Sequence, residues 1–272
     1  MRDTRLLPLV VRSRARGRAV FLPVALILAG FQVILVVIAS TLQTARSFTL
    51  ISAMMPMGVQ QAFGPSVFML ASFAGLATFG YFHPVVVLAL TMLGVYAATE
   101  PAGEVEWGLF DLELSRPVPR RAVVTRSLIV SLGVTAFVGC AMVGGTFAGL
   151  AALAPAGSAW PRFPRVLDLA AHLVALSWVF AAGGLLASAL ARRRGAAFGN
   201  VAVIVVCLYL LNFIADAWVK AAALGPYLPF HYFPGFEVAS GTARTARDIG
   251  VLVALAAVLT AAAYWRFEKR DL

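Results

Sequence analysis

Long apolar runs alternate with short polar segments along this chain. Six of the runs are close to the roughly 20 residues that an α-helix needs to cross the core of a bilayer. We place them at Ala19–Ile38, Tyr81–Thr99, Leu128–Leu150, Leu169–Ala191, Ala196–Ala215 and Ile249–Trp265. The pattern predicts an all-α integral membrane protein, a single domain over residues 1–272 with six transmembrane helices.

The uncharged stretch that contains the second predicted span is too long to be a single membrane-spanning helix. No charge occurs from Gln61 to Thr99, a stretch of 39 residues. As one helix it would measure about 58 Å, nearly twice a bilayer core of about 30 Å. We therefore predict a break at Gly80–Pro84, and helices in residues 47–80 that lie in or dip into the outer membrane interface. Met54–Met57 mark a further break in that segment.

The arginines and lysines fix the predicted orientation. With six spans, the segments on one side carry 16 of these residues and the segments on the other side carry 6. Cytoplasmic loops are the ones enriched in basic residues. Both termini are therefore predicted in the cytoplasm, and tryptophans such as Trp160 fall near span ends, as expected of interfacial anchors.

The first 18 residues are basic with apolar residues interspersed. They favour an interfacial helix on the inner membrane surface before the first span. The alternative is a basic tail that only sets the orientation. A cleaved signal peptide is disfavoured, because the following apolar run of 20 residues exceeds the usual length of about 7–15.

Composition supports the membrane assignment and narrows the function. The chain is 61% hydrophobic and 12% charged, with a mean hydropathy of +0.89. Its net charge of +10 is spread over short clusters between apolar runs, which is not the continuous basic face of a nucleic-acid-binding protein. We predict contact with membrane lipids and none with nucleic acid.

No catalytic, metal-binding or nucleotide-binding pattern is visible in the sequence. The phosphate-loop, zincin, nucleophile-elbow and C-x-x-C motifs do not occur. Three histidines are scattered, and Cys140 and Cys207 fall inside apolar runs, where we expect buried thiols rather than a disulfide or a zinc site. The sequence predicts a non-enzymatic chain with no catalytic residues, no metal and no cofactor of its own.

Few polar side chains fall inside the predicted spans. Gln32, Asn200 and Asn212 either line a substrate path or bond across helices, and packing is the favoured interpretation. Gly145 and Gly149 are four residues apart in the third span. Small residues at that spacing allow two helices to approach closely.

Residues 103–121 form the longest mainly hydrophilic segment in the interior of the chain. Acids come first and arginines follow, between two membrane spans, which is the arrangement that a soluble partner could grip from one side. The candidate coupling residues are Glu104, Glu106, Gly108, Asp111, Glu113, Ser115, Arg116, Pro117, Arg120 and Arg121. The alternative is a solvated loop whose arginines only fix orientation.

This segment carries a family resemblance. It is similar to the pattern GE…GT-LELLLS-PVSR of the permease subunits of bacterial ABC transporters of the type-2 exporter class. The matching positions are Gly103, Glu104, Gly108, Leu112, Leu114, Ser115, Pro117, Val118 and Arg120. His83-Pro84 at the start of the preceding span and the terminal Phe267–Leu272, similar to F-x-x-R-D-L, also match, so the resemblance covers essentially the whole chain. Departures are Leu109 for threonine, Asp111 for glutamate and Glu113 for leucine.

The resemblance implies a membrane subunit driven by a separate motor. Residues 103–121 would dock into a cleft of an ABC ATPase subunit, where the acids and arginines meet complementary charges. ATP and magnesium would bind to that ATPase. Two permease chains, identical or related, would pair in the bacterial cytoplasmic (inner) membrane, and the substrate would leave between them.

Two other classes of function stay open at this point. One is a membrane-embedded enzyme acting on lipid-like substrates, which needs a polar catalytic cluster at one membrane face. The other is a membrane scaffold that transports nothing. An ATPase that associates with the chain would separate transport from both.

Overall fold

In the computed structural model of the chain, residues 6–44, 72–108 and 120–269 are described, and within them all regular structure is helical. The α-helices are α1 (Leu6–Thr44), α2 (Phe73–Thr78), α3 (Pro84–Ala98), α4 (Glu100–Glu106), α5 (Arg120–Leu153), α6 (Phe163–Leu190), α7 (Arg194–Ala217), α8 (Gly235–Ser240) and α9 (Thr245–Glu268). Short 3-10 helices occupy Phe79–Tyr81, Val219–Tyr227 and Pro229–Tyr232.

The six predicted spans are confirmed. Among the described residues, six helical segments are long and apolar enough to cross a membrane: α1, the α2–α3 stretch Phe73–Ala98, α5, α6, α7 and α9. Their order and alternating direction bring the arginine-rich ends together at one end of the bundle. We call this end inner, as the positive-inside rule predicts, and the opposite end outer.

The predicted break before the second span is confirmed. A 3-10 helix over Phe79–Tyr81 ends α2, and His83 takes an extended conformation (φ −62°, ψ 127°) before Pro84 opens α3. Proline suits the first helical position, because its missing N–H would have no partner there. Of the predicted outer segment 47–80, only residues 72–80 are described; the rest, with Met54–Met57, lies outside the described residues.

The N-terminal segment differs from the prediction. Residues 6–18 do not form a separate interfacial helix, since α1 runs without a break for 39 residues and contains Pro23. At about 1.5 Å per residue it is about 58 Å long. The physical reason is that the basic turns of α1 pack on protein: Val10 contacts the core, and Ser13 and Arg16 bond to carboxylates of α4.

Helix α6 is the centre of the bundle. It packs against α3, α5, α7 and α9, and Leu169, Leu173 and Leu176 on it are fully buried. The peripheral α7 and α9 expose large apolar side chains instead, among them Val203 and Phe213. A helix that is apolar on an exposed face is the expected surface of a protein in lipid.

The α1–α5 contact is unusually close, as the small residues of α5 predict. A methyl group added to Gly145 would lie 2.5 Å from the Ala29 carbonyl oxygen, and one added to Gly149 would lie 3.3 Å from the Val33 Cα. The same face of α5 bonds to the second span: the Tyr81 and Thr146 hydroxyls are 2.8 Å apart. These contacts hold three spans together near the outer half of the bundle.

The cysteines correct the sequence expectation. Cys140 and Cys207 are free, but both are exposed on the surface of the bundle rather than buried. An apolar run shows that a helix lies in a membrane, but it does not show which side of that helix faces the protein interior.

Candidate functional site

Helix α4 carries the first acids of the predicted coupling segment, and its central carboxylate is buried. Glu104 is 1% exposed, and its Oε2 accepts a hydrogen bond from Nη2 of Arg126 on α5 at 2.6 Å. The Arg126 side chain is also almost fully buried. A buried charge without a counter-charge is strongly destabilising, and this pair supplies each group with one.

Arg16 of α1 brings a second cation to the same carboxylate. Its Nη1 lies 3.4 Å from Oε1 of Glu104 and 3.6 Å from Oε1 of Glu100. The Ser13 hydroxyl, about one turn earlier on α1, donates to Oε2 of Glu100. The two oxygens of Glu104 are therefore divided between α1 and α5.

Glu106 and Arg194 connect α4 to α7. Oε2 of Glu106 accepts from the backbone N–H of Arg194 at 2.9 Å, where α7 begins and where that N–H has no partner within its own helix. The Arg194 guanidinium lies 4.0 Å from the centroid of the Tyr96 ring, and its Nη2 donates to the Tyr96 carbonyl at 2.7 Å. Gly103 makes room for this side chain, since a methyl group there would lie 3.1 Å from Arg194 Cδ.

We name Arg16, Glu100, Glu104, Arg126 and Arg194 the inner-end cluster. Through it, and through the Glu106 contact, one short helix is bonded to three spans, α1, α5 and α7. Charged hydrogen bonds in a dry environment are stronger and better defined in direction than exposed ones. A displacement of α4 is therefore resisted by all three spans, or is passed on to them.

Other predicted coupling residues lie at the edges of this site. Gly108 ends α4 with a φ of +65°, a left-handed conformation that favours glycine after a helix. Arg120 is the first residue of α5, and Arg121 pairs with Glu268 on α9. Outside the described residues lie Asp111, Glu113, Ser115, Arg116 and Pro117.

The burial of Glu104 bears on its predicted contact with an ATPase, which stays a prediction. A direct contact between Glu104 and an ATPase requires an accessible carboxylate, and this one is enclosed by Arg16 and Arg126. Substituting it by arginine would break the internal pair as well, so that variant does not isolate a docking contact. The role that its position supports is to hold α4 on α1 and α5.

Sequence reasoning missed the partners of these acids. Arg16, Arg126 and Arg194 were expected only to set the orientation of the spans. It also missed Trp107, which directly follows α4 and is 67% exposed at the inner end. An aromatic residue that follows two acids, eight residues beyond the predicted span end at Thr99, is the signal that could have identified it.

The predicted pathway residues are not brought together. Gln32 of α1 is fully buried against Gly80, where an added methyl group would lie 2.5 Å from its Oε1. Asn200 is exposed on α7, and Asn212, twelve positions later, donates from Nδ2 to Oδ2 of Asp216 at 2.8 Å. A pathway role for the three stays a prediction.

The sequence was also compared with known protein families and with curated proteins. A family model described as "ABC-2 family transporter protein" matches residues 11–272. No curated protein matches the chain significantly.

In the described part of the chain, no group of three histidine, cysteine, aspartate or glutamate residues is placed to hold a metal ion.

Proposed function

Because this chain belongs to the ABC-2 family of transporter proteins, we propose that it couples a separate ATPase to the export of a substrate across the membrane. The chain is a multi-pass membrane protein and the membrane-spanning subunit of a transporter. The observation that carries the proposal is the attachment of α4 to α1, α5 and α7 by the inner-end cluster.

The proposed coupling is mechanical. ATP and magnesium bind to the partner ATPase, which closes on nucleotide and pushes on residues 103–121. Because Glu104 is held by Arg16 and Arg126 in a buried site, α4 cannot move alone without separating opposite charges. The push on α4 is therefore passed on to α1 and α5. The membrane in which we propose that this occurs is the bacterial cytoplasmic membrane.

Trp107 is the residue best placed to test the docking. It is exposed at the inner end next to α4, and tryptophan is enriched among the residues that dominate binding energy at protein interfaces. We expect Trp107→Ala to weaken association with the ATPase by about thirtyfold or more, since such residues contribute about 2 kcal/mol or more. The matched control is Trp160→Ala, also exposed but at the outer end.

The measurement is co-purification of the tagged full chain in mild detergent, followed by mass spectrometry and ATPase assays. A phosphate-loop ATPase in stoichiometric amount, lost with Trp107→Ala but retained with Trp160→Ala, supports the proposal. If no ATPase co-purifies in several detergents, the motor-driven function is abandoned. A membrane enzyme of lipid-like substrates or a scaffold then takes its place.

We further propose that two such chains, identical or related, pair in the membrane. The support is the exposed apolar face of α7, on which Val203 and Leu210 lie beside the free thiol of Cys207. Oxidative cross-linking in native membranes tests this face: pairing of identical chains through α7 gives a Cys207 disulfide dimer. Cys140, exposed on α5, is the matched control, and a dimer linked only through Cys140 would assign the pairing to a different face.

A further inference from the structure

A cavity of about 550 Å³ opens at the outer end of the bundle. We name it the outer cavity. Its walls come from the last turns of α7, the 3-10 helix Pro229–Tyr232, α8 and the start of α9, with Phe82 and Val87 of the second span. Its volume falls within the range of about 300–1,000 Å³ that is typical of small-molecule sites.

The charges around the outer cavity favour a cation. Its described lining has the carboxylates of Asp216, Glu237 and Asp248 and the guanidinium groups of Arg244 and Arg247, a net charge of −1 with histidine neutral. This contrasts with the +10 of the whole chain. A concave site lined by an excess of one sign of charge concentrates ligands of the opposite sign.

The carboxylates of the outer cavity differ in how they are paired. Asp248 is neutralised within the protein, because Arg247 Nε lies 2.9 Å from its Oδ1. Asp216 accepts a hydrogen bond from the neutral amide of Asn212 at 2.8 Å, and His231, which lines the same cavity, attracts its carboxylate when protonated. Among the described residues no guanidinium or ammonium group lies within 4 Å of Asp216. Asp216 is also exposed, so its charge is available to a ligand.

Aromatic rings form the apolar part of the same lining. The rings of Tyr209 and Phe230 meet edge to face with centroids 5.3 Å apart, and Phe82 and Phe236 lie 4.8 Å apart. The faces of such rings attract cations, most strongly where water is excluded. An accessible carboxylate beside several aromatic rings combines the two attractions that an organic ammonium group uses.

From this geometry we propose that the outer cavity binds an organic cation with apolar bulk, and that Asp216 is its charged anchor. The cation is either a free molecule or the ammonium headgroup of a lipid. This inference goes beyond the proposed function, because binding here requires neither the ATPase nor substrate movement. Its failure would therefore leave the coupling proposal untouched.

The test is equilibrium dialysis of the purified full chain in non-ionic detergent micelles, with protein-free micelles as the blank. Tetraphenylphosphonium is the probe, and tetraphenylborate, of the same shape and opposite charge, is the control. We expect saturable binding of one tetraphenylphosphonium ion per chain and no saturable binding of tetraphenylborate. Added phosphatidylethanolamine that competes identifies a lipid headgroup as the occupant, and absence of competition identifies a free cation.

Two variants locate the site. Asp216→Asn keeps the shape and removes the charge, and we expect tetraphenylphosphonium affinity to fall by about tenfold. Tyr209→Leu removes a ring without changing the charge, and we expect it to lower tetraphenylphosphonium affinity severalfold. The control is Asp168→Asn on α6, a carboxylate 3.7 Å from Arg165 that does not line the cavity. Equal binding of both ions, or unchanged affinity in Asp216→Asn, overturns the proposal.

Discussion

The two ends of the bundle use the same kinds of side chain in opposite ways. At the inner end, the carboxylates of Glu100 and Glu104 each lie within 4 Å of a guanidinium group, and Glu104 is buried. At the outer end, Asp216 faces a cavity, and its hydrogen-bond partner within the described part of the chain is the neutral amide of Asn212. A paired and buried charge holds helices in place, whereas an accessible one is available to a ligand.

Breaking the ion pair between Glu104 and Arg126 at the inner end should have the largest effect on stability. Glu104→Gln removes the carboxylate that pairs with Arg126 inside the protein, and breaking a buried ion pair costs about 3–5 kcal/mol of stability. We expect a large loss of folded protein and a lower melting temperature, measured by fluorescence-detected size-exclusion chromatography of heated samples.

Replacing both partners is the control for that variant. Glu104→Met with Arg126→Met removes both charges and should restore much of the stability, because apolar pairs often match buried ion pairs. An undiminished melting temperature in the single variant would show that the inner-end cluster does not stabilise the fold.

The next largest effect should come from the tight α1–α5 contact that lies between the two ends. Gly145→Ala places a methyl group 2.5 Å from the Ala29 carbonyl oxygen, so the helices must separate, at a cost of about 1–3 kcal/mol. Thermal unfolding in detergent measures it. Gly144→Ala is the control, because a methyl group there meets nothing within 4 Å; equal melting temperatures for the two variants would contradict the close approach.

Asp216→Asn should change stability little, in contrast to Glu104→Gln. The residue is exposed and its amide partner can bond to an asparagine oxygen as well. We expect a change within about 0.5 kcal/mol, the usual range for surface positions. A large drop in the melting temperature would mean that Asp216 is structural, and the contrast between the two ends would then not hold.

The smallest effect is expected at Arg121, which pairs with Glu268 at the surface of the inner end. Its side chain is 72% exposed, so water and salt screen the attraction. Arg121→Gln should leave the melting temperature within experimental scatter, whereas Arg126→Gln, five residues later and buried, should lower it clearly. Both variants remove one arginine charge near the start of α5, so the difference between their melting temperatures measures the effect of burial.

The sequence predicted the spans well because length and apolarity alone determine whether a helix can cross a bilayer. The break at Gly80–Pro84 was also predictable, since Pro84 restricts the residue before it. The continuity of α1 was not, because it depends on Arg16 meeting acids on a distant part of the chain. Likewise, no local pattern indicates that Glu104 bonds to Arg126 rather than to a partner protein.

The separation of Arg16 and Glu104 along the chain also has a consequence for how the protein is made. The two residues are 88 positions apart, so at about 5–20 residues per second a ribosome adds Glu104 roughly 4–18 s after Arg16. During that interval the arginines of α1 must stay in water or among lipid headgroups. The contact between Arg16 and Glu104 can form only after the second span has crossed the membrane back to the inner side. Its formation therefore requires that the first two spans were inserted in opposite directions.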